Sequence, residues 1–272
     1  MYNVLSLGAG VQSSTIALMA ACGEITPMPD VAIFADTQIE PQSVYRWLSW
    51  LIPNLPFPVL TVSRGNIVDE CLTLHRRKDD TGYWSKSLLP LYIRNPDGSK
   101  GMMQRQCTWS YKLEEIRKAV RAFCHIKRGQ KDVSVTQWIG ISWDEMMRMK
   151  PSRDAWCENR WPLIEKRMTR KHCLSWMQSH GFPTPPRSAC VMCPFHSDAE
   201  WRRLRDEEPD EFRKAVEFEP KIQETMARTR RCYGVPFLHA SLIPLGQVDF
   251  STDVERGQGL LWNEECTGIC GV

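Results

Sequence analysis

The segment from Ser6 to Ser14, Ser-Leu-Gly-Ala-Gly-Val-Gln-Ser-Ser, has the residue types of a phosphate-binding loop. It follows an apolar run and precedes a helical pattern, so its backbone N–H groups and the helix dipole would converge on an anion. Gly8 and Gly10 let the backbone come close to a phosphate. The hydroxyls of Ser6, Ser13 and Ser14 add hydrogen-bond donors without bulk. A glycine turn followed by a serine-capped helix is the purely structural alternative.

The spacing of this loop argues against two better-known phosphate loops. No lysine follows Gly10, as a Walker loop requires, and no third glycine stands at the dinucleotide-binding spacing.

Charged residues follow two other predicted strands. Asp36 ends the second strand and is a candidate for contact with ribose, magnesium or an amine, or else a helix cap or turn residue. After Gly140, the acidic residues Asp144 and Glu145 could hold magnesium, and Arg148 could neutralise a phosphate. A surface turn also favours such residues. We expect function here, with Arg148 as the strongest single candidate.

Two further cations, Arg105 and Lys112, flank Cys107. Each is interpreted either as a contact to phosphate or sulfate oxygens or as a solvated cation at a helix end.

The cysteines form two close pairs, Cys190-x-x-Cys193 and Cys266-x-x-x-Cys270. The first residues have no secretion signal, and no apolar run has the length of a membrane span, so we expect a cytoplasmic chain without membrane association. The eleven cysteines should then be reduced, and clustered ones are better interpreted as metal ligands or catalytic groups than as disulfides. This spacing suits either zinc or an iron–sulfur cluster.

Apolar strands alternate with helical patterns in the first part of the chain, which predicts an α/β fold with a parallel, twisted, Rossmann-like sheet flanked by helices. We predict a nucleotide-binding domain over residues 1–160 with an irregular insertion at about 76–105 over the active site. Residues 161–272 are predicted to form a helical, cysteine-bearing extension. Lys+Arg 35 against Asp+Glu 32 gives a net charge of +3, which does not indicate nucleic-acid binding, although a local basic groove remains open.

Several of these motifs together resemble the PP-loop superfamily of adenine nucleotide alpha-hydrolases and phosphoadenosine-phosphosulfate reductases. Ser6-x-Gly8-x-Gly10-x-x-Ser13-Ser14 resembles its phosphate loop, with Ala9 where many relatives have glycine. The segments after Phe34 and Gly140 resemble its later strand ends, and the cysteine-bearing segments resemble a reductase-like subgroup of bacteria, phages and mobile elements. The resemblance implies the fold, an adenine nucleotide as ligand and magnesium bound with ATP.

The same resemblance suggests roles for the cysteines. The segment around Cys107 is similar to one that supplies cluster ligands in relatives, although those relatives carry adjacent cysteines there and this chain has one. It implies a [4Fe–4S] cluster on Cys107, Cys190, Cys193 and one tail cysteine, with zinc or no metal as alternatives. Glu265-Cys266-x-Gly268 is similar to the tail whose thiolate attacks sulfur in the reductases, in which case Cys266 is the nucleophile and Cys270 the spare ligand.

Three functions follow from this reasoning. The first is cleavage of ATP between the α and β phosphates to adenylylate an acceptor for sulfur or nitrogen transfer, with an unidentified acceptor or sulfur-donor protein as partner. The second is thiol-dependent reduction of a sulfonucleotide, which needs Cys266 as the nucleophile. The third is a non-catalytic accessory factor that binds nucleotide or nucleic acid through basic surfaces such as Arg202 to Arg205 and Arg228 to Arg231.

Overall fold

The computed structural model describes residues 1–79, 81–230 and 232–251, so the predicted tail residues Cys266 and Cys270 lie outside the described part. The chain divides into two compact units. The first comprises Met1–Asp36, Gln42–Arg64 and Ser110–Ser188. The second comprises Thr37–Pro41, Gly65–Trp109 and the described residues from Ala189 onward. The predicted boundary at residue 160 differs from this division, because residues 161–188 pack with the first unit and residues 76–105 belong to the second.

The regular elements are short and follow one another closely along the chain. The strands are β1 Tyr2–Ser6, β2 Val31–Asp36, β3 Val59–Ser63, β4 His75–Arg76, β5 Tyr83–Trp84, β6 Tyr92–Arg94, β7 Lys100–Met102, β8 Val135–Trp138, β9 Cys157–Arg160 and β10 Val235–Phe237. The α-helices are α1 Val11–Ala21, α2 Gln42–Leu51, α3 Ile67–Leu72, α4 Glu114–Phe123, α5 Pro162–Glu165, α6 Arg170–Ser179, α7 Asp198–Glu207 and α8 Pro209–Thr229.

The first unit is built on a five-stranded sheet with the order β3-β2-β1-β8-β9, in which every pairing is parallel. The predicted α/β class, a parallel Rossmann-like sheet flanked by helices, is therefore confirmed. The strand β9 was not predicted. Its sequence, Cys-Glu-Asn-Arg, lacks an apolar pattern because it pairs with β8 on one side only and forms the edge of the sheet.

Successive side chains along the strands alternate between two hydrophobic cores. Leu5 and Phe34 lie in one core, which also contains buried residues of α1, α2 and α6. Val4 and Ile33 lie in the other, with residues of α4. Helix α1 is buried along most of its length, from Val11 to Ala20, which fixes the position of the loop that precedes it.

The second unit combines α7 and α8 with two small antiparallel sheets, ordered β10-β6-β7 and β4-β5. Residues 76–105, predicted as an irregular insertion, thus contain short strands that close hairpins. Strands of two or three residues are too short for the periodicity that sequence analysis detects. Throughout residues 1–79, 81–230 and 232–251, no helix has the length and apolar character needed to cross a membrane.

Candidate functional site

The loops after β1 and β8 begin where the order of the strands reverses, because the chain adds β2 and β3 on one side of β1 and β8 on the other. From β1 the chain continues outward to β2 and β3, and later returns to add β8 on the other side of β1. Loops after two such strands diverge and leave a crevice at the carboxyl edge of the sheet, where open α/β sheets bind their ligands. The segment Ser6–Ser14 follows β1, and the segment beginning at Gly140 follows β8. The structure therefore brings together the two segments that carry most of the predicted nucleotide-binding residues.

The loop after β1 turns sharply into α1. Ala9 is buried and has a left-handed backbone with φ 57°, a conformation that L-residues other than glycine rarely adopt. Gly10 is the N-cap residue, and in this described segment no side chain makes a capping hydrogen bond to α1. The first N–H groups of a helix need a partner from outside the helix. An anion at this end of α1 would supply one.

The glycines of the loop are not needed by the packing of the protein. A Cβ atom at Gly8 would meet the Ser13 Oγ at 3.6 Å, and one at Gly10 would meet the Ser188 Cβ at 3.4 Å. Both are ordinary van der Waals distances, and neither glycine has a backbone that excludes other residues. The packing of the protein therefore does not require glycine at either position, and the loop backbone carries no side chain there.

Gly140 is different, because its missing side chain is required by the fold. A Cβ atom there would lie 3.0 Å from the Ser13 backbone nitrogen and 3.2 Å from its Cα. Gly140 thus lets the end of β8 pack directly against the first turn of α1. Its predicted role as a nucleotide contact remains a prediction, whereas its packing role is visible.

The three predicted serines make different contacts. The Ser13 hydroxyl lies inside the loop, where it accepts a hydrogen bond from the Gly8 N–H at 3.0 Å. The Ser6 hydroxyl accepts one from the Gln137 side chain at 2.7 Å. Ser14 is fully buried, and its hydroxyl accepts the indole N–H of Trp47 at 2.9 Å. Ser14 therefore anchors α1 to α2 in the core, while Ser13 shapes the loop.

A 3₁₀ turn, Trp143–Arg148, follows β8 and carries the predicted charged residues. The Arg148 guanidinium donates to Glu145 Oε1 at 2.8 Å, and the Gln12 amide donates to Glu145 Oε2 at 3.4 Å. Glu145 thus joins the turn to the start of α1. The side chains of Arg148 and Glu145 remain 26% and 21% exposed, so this pair faces solvent in part.

Asp144 makes a hydrogen bond with the neighbouring helix α6. Its carboxylate accepts the Arg170 N–H at 3.1 Å, at the first residue of α6. A carboxylate at a helix N-terminus is stabilised by the helix dipole. Sequence analysis preferred Asp144 to Glu145 as the catalytic acid, and in the structure Glu145 is the acidic side chain that contacts Arg148.

The remaining predicted charged residues lie in separate places. Asp36 ends β2 beside β1, and its carboxylate accepts the Tyr45 hydroxyl at 2.9 Å. Lys112 is a half-buried residue of the first unit, in the π-helical turn Thr108–Leu113. Arg105 belongs to the second unit, with its guanidinium 5.5 Å from the centre of the Phe195 ring.

The predicted pair Cys190 and Cys193 lies on one tight turn of the second unit, where the Cys193 N–H donates to the Cys190 carbonyl at 3.0 Å. The Cys190 thiol donates to Glu40 Oε1 at 3.4 Å, and its sulfur lies 3.2 Å from the Thr37 hydroxyl. The Glu40 side chain is 2% exposed. A buried carboxylate disfavours a neighbouring thiolate, which is the form that binds metal. Metal binding at Cys190 would therefore require Glu40 to move away from the thiol.

The described cysteines do not form a metal site by themselves. Within the residues that the structure describes, no group of three or more His, Cys, Asp or Glu has an arrangement that could hold a metal ion. Cys107 is half-buried, and it lies close enough to Cys71 to contribute to the raised pKa of that thiol, which desolvation and its neighbours bring to about 12. The iron–sulfur cluster and its zinc alternative thus stay predictions that depend on Cys266 and Cys270.

Other cysteines behave as packed apolar side chains. Cys124 and Cys173 are buried, and desolvation raises the pKa of their thiols to about 11 and about 12. Cys22, in contrast, is exposed.

Two residues of the candidate site were not predicted. Gln12 was treated as a spacer within the loop, and Ser188 lies far from it in sequence. Only the tertiary structure brings Ser188 beside Gly10 and Gln12 beside Glu145. A search with protein-family models finds none that matches this chain, and a search of curated proteins gives no match.

Proposed function

We propose that the first unit binds ATP with magnesium where β1 and β8 end, and cleaves it between the α and β phosphates to adenylylate an acceptor. The observation that carries this proposal is the start of α1, where Gly10 is the N-cap residue and no side chain makes a capping hydrogen bond in this described segment. A phosphate chain has the size, the charge and the acceptor oxygens that suit such a place. The resemblance of the Ser6–Ser14 loop to PP-loops supports adenine nucleotides in particular.

In this proposal, the protein acts through positioning and charge. The N–H groups at the start of α1 hold the phosphates, and Arg148 neutralises the negative charge that develops as the α–β bond breaks. Glu145 holds the guanidinium of Arg148 in place through a 2.8 Å hydrogen bond. Because Glu145 also contacts Gln12, the arginine and the loop would keep a fixed relation to each other.

The carboxylates of the site fit a magnesium ion that enters with ATP. Magnesium prefers oxygen ligands and is usually held by one or two carboxylates together with phosphate oxygens. Asp36, Asp144 and Glu145 all lie at or after the carboxyl ends of strands, and each also accepts a hydrogen bond within the protein. These carboxylates would hold the ion, which supplies positive charge to the phosphates.

Product analysis tests the proposal. Purified protein is incubated with magnesium and α- or γ-labelled ATP in the presence of candidate acceptors, and the products are separated by chromatography. AMP and pyrophosphate support the proposal, whereas ADP and phosphate contradict it. Sulfite released from an adenylylated sulfate, in the presence of a thiol reductant, would instead indicate the sulfonucleotide reductase.

A matched pair of variants separates the site from general effects of charge. Arg148→Ala removes the proposed catalytic cation. Arg128→Ala removes an exposed arginine from the loop before β8, at the opposite edge of the sheet. Turnover should fall in the first variant and persist in the second.

A further inference from the structure

A small hairpin of the second unit carries exposed aromatic and cationic side chains that the proposed nucleotide chemistry does not use. Strands β4 and β5 pair antiparallel, with His75 opposite Trp84 and Arg76 opposite Tyr83. A hairpin with two residue pairs is marginal in water unless side chains stabilise it. Its composition therefore calls for a physical explanation.

The aromatic side chains of the hairpin are unusually accessible. Tyr83 is 44% exposed and Trp84 is 40% exposed. The Trp84 ring stacks on His75, with 4.4 Å between ring centroids and 25° between ring planes. This stacking stabilises the hairpin and fixes the plane of the indole. Because Tyr83 and Trp84 are consecutive strand residues, their rings lie on opposite faces of the hairpin, and each ring keeps a large part in solvent where a flat ring could stack on it.

A run of cations lies beside these rings. Arg76, Arg77 and Lys78 are consecutive and exposed. Asp79 and Asp80 follow in the sequence and offset two of these three charges, and the Asp79 carboxylate accepts hydrogen bonds from the Thr81 N–H at 3.3 Å and the Thr81 hydroxyl at 2.8 Å. The run thus presents net positive charge next to the aromatic side chains.

The end of α8 extends the same surface. The Arg228 guanidinium lies 5.7 Å from the centre of the Tyr83 ring, and the Ser85 and Thr229 hydroxyls lie 3.4 Å apart. Arg230, the exposed C-cap residue of α8, follows two positions later. Arg76, which is paired opposite Tyr83, and Arg228, which comes from a distant part of the sequence and also pairs with Glu224 at 3.7 Å, therefore both lie near the Tyr83 ring. We call this set the hairpin surface: Arg76, Arg77, Lys78, Tyr83, Trp84, Arg228 and Arg230.

We propose that the hairpin surface binds single-stranded nucleic acid. Accessible aromatic rings between cations suit a strand whose bases are free to stack and whose phosphates repeat at short intervals. A duplex keeps its bases stacked on one another, so it would use the cations but not Trp84. An acidic peptide would use the cations but has no regular series of flat rings. The proposal does not depend on nucleotide cleavage in the first unit.

Fluorescence anisotropy with labelled oligonucleotides tests this surface. The probes are a mixed-sequence single-stranded DNA, the corresponding RNA and the same DNA as a duplex, each titrated at several salt concentrations. Both single strands should bind more tightly than the duplex. Trp84→Ala should weaken single-strand binding by roughly fivefold to a hundredfold, and Trp84→Phe should restore most of it. Arg77→Gln with Lys78→Gln should reduce the slope of log affinity against log salt by about 1.4.

A charge-matched double variant provides the control. Arg202→Gln with Arg205→Gln removes two cations from α7, where both contact Asp206, at 3.7 Å and 2.8 Å. It should leave single-strand binding close to that of wild type, since neither arginine belongs to the hairpin surface. Melting temperatures of all variants show whether each one folds. If Trp84→Ala does not fold, the exposed Arg77 and Lys78 pair carries the test.

Three results would overturn the proposal. The first is no binding of any single strand at low salt. The second is equal loss of binding in the α7 variant and in the hairpin variant. The third is unchanged single-strand binding in folded Trp84→Ala together with equally tight binding of heparin, which carries charge but no bases. That third result would indicate a charge-only surface for an acidic partner.

Discussion

Replacing Gly140 by alanine should destabilise the first unit and disturb the phosphate loop together. The new Cβ would lie 3.0 Å from the Ser13 nitrogen, 3.2 Å from its Cα and 3.2 Å from its Cβ, so backbone must move by a few tenths of an ångström. Overpacking of this kind lowers the free energy of unfolding by about 1–3 kcal/mol. Alanine also reduces the conformational entropy of the unfolded chain, which raises the free energy of unfolding by about 0.4–1 kcal/mol. The free energy of unfolding should therefore fall by about 1–2 kcal/mol, and the melting temperature by roughly 3–6 °C.

The matched control is Gly8→Ala in the same loop. Its Cβ would meet Ser13 Oγ at an ordinary 3.6 Å, so its melting temperature should stay within about 2 °C of wild type. The assay is thermal and urea denaturation followed by circular dichroism, with ATP titrations of the folded variants. Gly140→Ala should lower stability, whereas Gly8→Ala should lower ATP affinity alone, because the methyl group occupies the space proposed for phosphate. Equal stability of wild type and Gly140→Ala would refute the packing argument.

Four further predictions concern Arg148, Glu219 and the cysteines. Arg148→Ala should lose turnover and keep its melting temperature, because the side chain is partly exposed and its recorded contact is with Glu145; full activity would contradict this assignment. Glu219→Ala should lose about 2–4 kcal/mol of stability by denaturation, because its buried carboxylate accepts two main-chain N–H groups; a loss below about 1 kcal/mol would contradict this. Desolvation raises the pKa of Glu219, so wild type should lose stability relative to Glu219→Gln as pH rises through the folded pKa, and parallel melting curves across that range would refute this. Anaerobically purified protein should contain iron and labile sulfide that are lost together in Cys190→Ala and in Cys193→Ala; stoichiometric zinc without sulfide would exclude the cluster.

The β1–α1 unit was predictable because local sequence determines it. An apolar run, two glycines and a long apolar helix appear in order between Tyr2 and Ala21, and the structure has a strand, a tight loop and a buried helix there. The parallel sheet followed from the repetition of this pattern. The edge strand β9 and the hairpin β4–β5 could not be predicted in this way, because pairing partners rather than their own residues define them.

The candidate site was predictable as two segments but not as a set of contacts. Gly140 and Arg148 were placed correctly after a strand, at its carboxyl end. Which neighbouring acid contacts the arginine depends on how the turn packs against α1 and α6. The sequence favoured Asp144, whereas the fold directs Asp144 to the start of α6 and Glu145 to Arg148. Two adjacent acidic residues on a short turn give no local signal that distinguishes them.

Calorimetric titration of ATP and magnesium into wild type and Gly10→Val tests whether the Ser6–Ser14 loop binds ATP. A Cβ at Gly10 would meet only Ser188 among its near neighbours, at 3.4 Å from Cβ and 3.8 Å from the backbone nitrogen, so a folded variant is expected. The branched side chain would fill the space proposed for phosphate. If the Ser6–Ser14 loop binds the phosphates, wild type should give a measurable heat of binding. A Gly10→Val variant with wild-type melting temperature should give none. Unchanged binding of ATP, adenosine phosphosulfate and phosphoadenosine phosphosulfate in the folded variant would contradict it.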